Sequence, residues 1–301
     1  MPPPLKRGDV VALAATARKV SPQELEATVA LLGSMGLEVL IPQGLYSKCN
    51  QLAGTDSHRA GLLQQLLDDG EVKAILCCRG GYGTVRIIDR LDFATFQKRP
   101  KWVVGYSDVT VLHSHIHSHC GVATMHGVMP INIEATTSLS DPAVATLCNA
   151  LFERRFAVEA AQHPLNRNGV AEGVLVGGNL SILYSLCGSP SAIDTRGKIL
   201  FIEDLDEYLY HIDRMMQNLK RNGMLEGLAG LVVGAMSDMH DNAIPYGKTA
   251  EEIVREAVDG YGYPVAFGLP CGHIGTDNQA LILGAHCRLS VDVATLLTNQ
   301  D

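Results

Sequence analysis

The chain has 301 residues, the size at which one hydrophobic core usually divides, so two domains are expected. Hydrophobic residues make up 47% and charged residues only 19%, which excludes a disordered chain, and 30 glycines point to many tight loops around a sheet. A net charge of −8 with no Lys/Arg cluster argues against a nucleic-acid partner, because phosphate binding needs a basic face.

Along the chain, Lys6-Arg7 followed by Val10–Ala15 faintly imitates an export signal, but Asp9 interrupts it and the apolar run is short. Val10–Ala14 reads better as a first strand. Ser21-Pro22-Gln23-Glu24 is a capping box with proline at the first helical position, and it opens a helix that should stop at Gly36. Leu37–Ile41 follows as a strand, then a helix over Ser57–Leu67 with Thr55 or Asp56 as its cap. Val72–Cys78 is a third strand and ends in Arg79-Gly80-Gly81-Tyr82-Gly83. A helical stretch over Thr84–Asp89, a strand over Trp102–Gly105 and a helix just after Ser107 complete the half. Repeated strand–helix units predict a doubly wound parallel sheet, with ligands at the carboxyl ends of its strands.

Between about Asp141 and Ala171 the pattern loosens, which puts one domain over residues 1–150 and another, also α/β, over 165–301. The second half shows strands at Gly173–Val176, Ile199–Ile202, Gly230–Met236 and Cys287–Val293, and helices at His211–Lys220 and Thr249–Val258. No segment approaches the ~18 consecutive apolar residues of a membrane span. The eight cysteines include no CxxC pair, and Cys77-Cys78 falls in a buried strand, which points to reduced thiols in a cytosolic protein.

Val103–Cys120, VVGYSDVTVLHSHIHSHC, offers two chemistries. On a helix, His113 and His117 flank the apolar stripe on one side, while His115 and His119 lie roughly 200° around. Four such ligands cannot converge on one ion, and Ser114 stands where a zincin helix needs its glutamate. The sequence therefore favours solvated or helix-flanking histidines over a metal centre. Ser107 follows a strand at a sharp turn before a helix, the context of a nucleophile elbow. There its hydroxyl rises above the sheet edge and the Asp108 N–H can hold an oxyanion. The alternative is that Ser107 and Asp108 cap the helix, and local sequence leaves both open. Val109 stands where GxSxG needs its last glycine, which disfavours an ordinary α/β-hydrolase. The glycine loop 79–83 lacks a dinucleotide or P-loop pattern, so an oxyanion or substrate-cradling role for Gly80 and Gly81 fits better. A base and its orienting acid can come from the second half. Glu203 ends an apolar strand before Asp204-Leu205-Asp206-Glu207, and His273 lies in a glycine-bracketed loop.

Together these segments resemble the LD-carboxypeptidase family, the muramoyltetrapeptide carboxypeptidases and their microcin-immunity relatives. The resemblance rests on Leu5-Lys6-Arg7-Gly8-Asp9, Ala53-Gly54-Thr55-Asp56, Arg79 to Gly83 and Gly105-Tyr106-Ser107-Asp108-Val109-Thr110. It continues in His126-Gly127, Gly177-Gly178-Asn179-Leu180, Ile202-Glu203-Asp204, Ile212-Asp213-Arg214-Met215 and Gly272-His273. It implies an N-terminal Rossmann-like domain, a C-terminal α/β domain, an active-site cleft between them, a homodimer, and neither metal nor cofactor. It also implies Ser107 as nucleophile, His273 as base and Glu203 as its orienter, in a cytoplasmic enzyme that releases terminal D-alanine from murein tetrapeptide during wall recycling. Ala15 and Val128 depart from the usual prolines, so substrate detail is less fixed than mechanism. Chain and murein peptides are both acidic, so a terminal carboxylate needs local donors. Arg79, with Tyr82 beside it on the glycine loop, is the candidate, unless Arg79 merely ties the loop to the fold. The remaining alternatives are an immunity-type peptidase acting on a peptidyl-nucleotide or related amide, a non-catalytic module binding in the same cleft, and a metallohydrolase using the histidines or the acids 203–207.

Overall fold

The computed structural model describes residues 1–300, Thr276 by its backbone only; Asp301, the last residue of the expected second domain, lies outside them. The first half forms β1 (Val10–Ala14), α1 (Pro22–Ser34), β2 (Glu38–Leu40), α2 (Asp56–Asp68), β3 (Val72–Cys77), α3 (Ala94–Lys98), β4 (Trp102–Gly105), α4 (Thr110–Cys120) and β5 (Thr124–His126). Its strands pair in parallel in the order β2-β1-β3-β4-β5. In β1, β3 and β4 nearly every residue is buried, which a parallel strand covered on both faces requires and an alternating pattern would not supply. The capping box at Ser21 and Glu24 forms as expected, with Pro22 in the first turn, and Thr55 caps α2 through its hydroxyl. The stretch after the glycine loop is not one helix but two 3₁₀ turns, Thr84–Arg86 and Ile88–Arg90. The Thr84 N–H that opens it donates to the Asp108 carboxylate at 2.9 Å, which ties this turn to the elbow.

The second half forms α5 (Pro142–Cys148), β6 (Ala157–Ala161), β7 (Gly169–Asn179), α6 (Leu180–Leu186), β8 (Ile199–Leu205), α7 (Leu209–Arg221), β9 (Gly230–Ser237), α8 (Ala250–Ala257), β10 (Val265–Ala266), β11 (Leu281–Leu283), β12 (His286–Val291) and β13 (Ala294–Asn299). The order β10-β9-β8-β7 is parallel, each crossover carrying a helix. On the other side of β7, the strands β12, β13 and β6 add antiparallel. β11 leaves this sheet and pairs antiparallel with β5, so the last part of the chain closes the edge of the first sheet. Strands β5, β6, β10, β11 and β13 and helices α3, α5 and α6 go beyond the elements read from the sequence. Most are too short to show a period of their own, and long-range pairing selects them. One apolar cluster runs from Val104 and Met125 through Leu281 to Phe201, Val232 and Leu289, so the two sheets share a core. Among the described residues no helix is long and apolar enough to cross a membrane.

Buried Arg59 organises the loops above β1 and β3. Its guanidinium donates to the carbonyls of Thr16 and of Gly83 (2.8 Å) and pairs with Asp56 at 2.6 Å. Arg59→Met should remove these links and leave two buried carbonyls without their donor, while Asp56 keeps Arg86 at 2.7 Å; the cost should be about 1–3 kcal/mol for each unpaired carbonyl, read as a lower urea midpoint.

Candidate active site

The turn after β4 places Ser107 at φ +63°, a left-handed backbone that costs a residue with a Cβ about 1–2 kcal/mol. Such strain persists only where the surroundings impose it. Here Asp108, itself buried, fixes the next residue through Thr84. Gly80 packs directly against the serine: a Cβ built on it would lie 3.0 Å from Ser107 Oγ and 3.5 Å from the Asp108 nitrogen. The glycine loop and the elbow thus form one surface with backbone at the hydroxyl.

On the other sheet, β8 carries Glu203 fully buried at its carboxyl end. Its Oε2 meets His273 Nδ1 at 2.7 Å, leaving Nε2 as the imidazole nitrogen available to a substrate or nucleophile. The approach needs glycine at 272, because a Cβ there would lie 2.7 Å from Glu203 Oε2. Ser237 Oγ holds the His273 carbonyl at 2.8 Å, and the Tyr106 ring packs edge-on against the imidazole at 4.7 Å. Burial, with the Glu203 charge nearby, raises the Tyr106 hydroxyl to about 12, so it stays a neutral donor to Asn132 Oδ1 at 3.2 Å.

Ser107, Asp108, Gly80, Gly81 and His273 line one cavity of about 520 Å³, with Glu203 buried behind the histidine. Arg79 lines it too, but its guanidinium is paired with Glu24 at 3.1 Å. Tyr82 lies outside the cavity lining, 48% exposed. Arg18, Asn132 and Ser181 line the cavity without having been singled out in the sequence, and Asn179, quoted there only within the Gly177–Leu180 motif, lines it too. Arg18 had one signal available, its place on the loop after β1 at the ligand-binding edge of the sheet. The acids divide by environment. Burial, and then the neighbouring Glu203 charge, raise Asp204 to about 7 against donors from Leu205 N–H, Asn179 Nδ2 and Ser181 N–H. Asp206 and Glu207 pair instead with His240 (2.5 Å) and His211 (2.6 Å).

The histidines of α4 find separate partners. His113 Nε2 donates to the Gly105 carbonyl at 2.8 Å, and His117 accepts from Lys198 at 3.4 Å. His115 meets Ser191 Oγ at 2.9 Å, and His119 donates to the Pro190 carbonyl at 2.8 Å. His113 is buried rather than solvated and holds the strand end that precedes the elbow. Among the described residues, no group of three or more His, Cys, Asp or Glu is arranged to hold a metal ion.

Residues 9–127 match the family model of the LD-carboxypeptidase N-terminal domain, and residues 172–289 that of the C-terminal domain. This chain belongs to the LD-carboxypeptidase family. It is 40% identical, over 96% of its length and 91% of the relative's, to a probable murein peptide carboxypeptidase of Bacillus subtilis. The crystal structure of a muramoyltetrapeptide carboxypeptidase from Oxalobacter formigenes superposes with a TM-score of 0.88 at 28% identity, covering 97% of this chain and 99% of that one. The microcin C7 self-immunity protein of Escherichia coli is 24% identical over 85% of this chain and 84% of its own.

Two outcomes follow from the strain at Ser107 and the burial of the histidines in this member of the LD-carboxypeptidase family. Ser107→Gly should raise unfolding stability by about 1 kcal/mol while removing the hydroxyl, whereas Ser107→Ala, which keeps the Cβ, should show no such gain in urea titration. Burial lowers His113 from 6.5 to about 4, and buried His126 is pushed down for the same reason, with His113 and His273 adding to the effect. The unfolded chain takes up a proton at His113 near pH 6.5 and the folded chain only near 4. Stability from this group is therefore complete above pH 6.5 and falls by about 3 kcal/mol as the pH drops to 4. His113→Gln should flatten the stability–pH curve across that window.

Proposed function

We propose that this protein is a serine LD-carboxypeptidase that removes the terminal D-alanine from murein tetrapeptide, L-Ala-D-Glu-diaminopimelate-D-Ala, at its L,D bond. The observation that carries the reading is the single cavity in which a strained serine on one sheet faces the Glu203–His273 pair of the other. Family membership and the murein peptidase names of the relatives support the substrate class.

In this mechanism His273 Nε2 takes the Ser107 proton and the hydroxyl oxygen attacks the scissile carbonyl carbon. Glu203, held at Nδ1, keeps the imidazole in the required tautomer and stabilises its charged form. The Asp108 N–H and a Gly80 or Gly81 N–H receive the oxyanion, donors of a kind that contribute about 2.7–4 kcal/mol each to a transition state. His273 then passes the proton to the leaving nitrogen, D-alanine departs, and water, deprotonated by the same imidazole, releases the acyl group and restores the serine. No metal or cofactor takes part. Cys77, Cys78 and Cys271 are buried, which fits reduced thiols in a cytoplasmic wall-recycling enzyme, and a homodimer is the working unit that the family resemblance implies.

Ser107→Ala should lower kcat by several orders of magnitude with the fold retained. Adding His273→Ala to it should cost little more, because members of a triad act as a unit. Released D-alanine is the quantity to measure. Near-wild-type release by Ser107→Ala, or losses that multiply in the double variant, would count against the mechanism.

A further inference from the structure

We infer that Arg18, on the loop after β1, binds the C-terminal carboxylate of the peptide and sets the enzyme's exopeptidase specificity; the inference rests on the carboxypeptidase reading above. In a sheet ordered β2-β1-β3-β4-β5, the chain leaves β1 and β3 toward opposite sides, and the crevice between these two strand ends is where ligands bind. Arg18 follows β1 and the glycine loop follows β3, so both stand at that crevice.

Asp204, Asp206 and Glu207 line the cavity from the β8 side, and both of its arginines, Arg18 and Arg79, come from the first sheet, whose one lining acid, Asp108, is buried and held by the Thr84 N–H. In an exopeptidase the terminal carboxylate lies three bonds from the scissile carbonyl carbon. Its partner must therefore stand beside the oxyanion pocket and away from those acids. Of the two arginines, Arg79 is committed to Glu24, while Arg18 has no ion pair among the described residues. Arg18 also lies directly over the glycine loop. A Cβ built on Gly81 would fall 2.6 Å from its Nε, 2.7 Å from Cδ and 2.9 Å from Cγ, and the adjacent Gly80 is the residue against Ser107. Glycine at 81 thus gives room to the arginine as well as allowing φ +103°. The backbone beneath the side chain is pinned by the Arg18–Leu52 bridge, by Lys19 N–H to Gln51 O at 3.0 Å and by Ala53 N–H to Ala17 O at 3.1 Å. A fixed base carrying a planar guanidinium suits bidentate capture of a carboxylate.

The test compares the tetrapeptide with its C-terminal amide. Arg18→Ala should lower kcat/KM for the acid roughly 10- to 100-fold, mainly through KM, and barely change it for the amide. Arg18→Lys should recover part of the loss, and Arg79→Ala should keep the acid-over-amide preference. Calorimetric binding in a Ser107→Ala background separates this inference from the hydrolysis it rests on. If the parent releases no D-alanine but its Ser107→Ala form binds the acid better than the amide through Arg18, the hydrolase reading falls and the arginine assignment stands. An acid preference that survives Arg18→Ala, or no preference in the parent, overturns the assignment.

Discussion

Thr110 Oγ1 accepts the Asn179 backbone N–H at 3.0 Å, across the seam where helix α4 of the first sheet meets strand β7 of the second. The proposed chemistry depends on this seam, because its parts arrive from both sides. Ser107 lies three residues before Thr110, and Asn179 is the register partner of Glu203 on the adjacent strand. The approach is tight: a Cβ on Gly178 would lie 2.5 Å from the Thr110 hydroxyl. A seam closed this tightly holds its two sides in one register, and misplacement of reacting groups by about 1 Å can cost ~10²-fold in rate. The shared apolar cluster beneath supplies the cohesion, since Val104 and Met125 pack into the same core as Phe201.

Two adjacent acids on β8 show how environment separates chemically similar groups. Glu203 is buried and spends one oxygen on His273, a directional partner whose charged form it can stabilise. Asp204 points to the other face of the strand and accepts donors from Asn179, Ser181 and Leu205, a set that braces the start of α6. Burial beside a second carboxylate still raises it to about 7. The carboxyl that orients the imidazole and the carboxyl that holds the framework are neighbours in sequence and opposite in role.

The elbow and the glycine loop store the conformational cost of the site. Ser107 sits in a left-handed backbone, and the restraints against its relaxation are local and polar: the Asp108 carboxylate on Thr84, the His113 ring on the Gly105 carbonyl, and Arg59 bridging the loops at Thr16 and Gly83. Each is buried, where an unpaired group is costly, so they resist being undone one at a time. This explains why a histidine and an arginine outside the cavity lining are buried in the first half.

The sequence by itself determined the parts whose causes are local. The apolar runs of β1, β3 and β4, the capping box at Ser21 and the strand–turn–helix around Ser107 each depend on residues a few positions apart, and each appears where it was read. Angular spacing alone already separated the four histidines of α4. It did not reveal that His113 would be buried, because that depends on a neighbouring strand. Tertiary structure alone decided the rest. Position alone left His273 one loop histidine among several, and only the family resemblance set it apart; its contact with Glu203, 70 residues away, is made by packing. β11, three residues long, could not announce that it would cross to the first sheet. Arg79 and Arg18 look alike in sequence, and only the placement of Glu24 shows which guanidinium is already paired. Local sequence sets backbone preferences over a few residues, whereas partners tens of residues apart are chosen by which buried polar and apolar surfaces can be satisfied together.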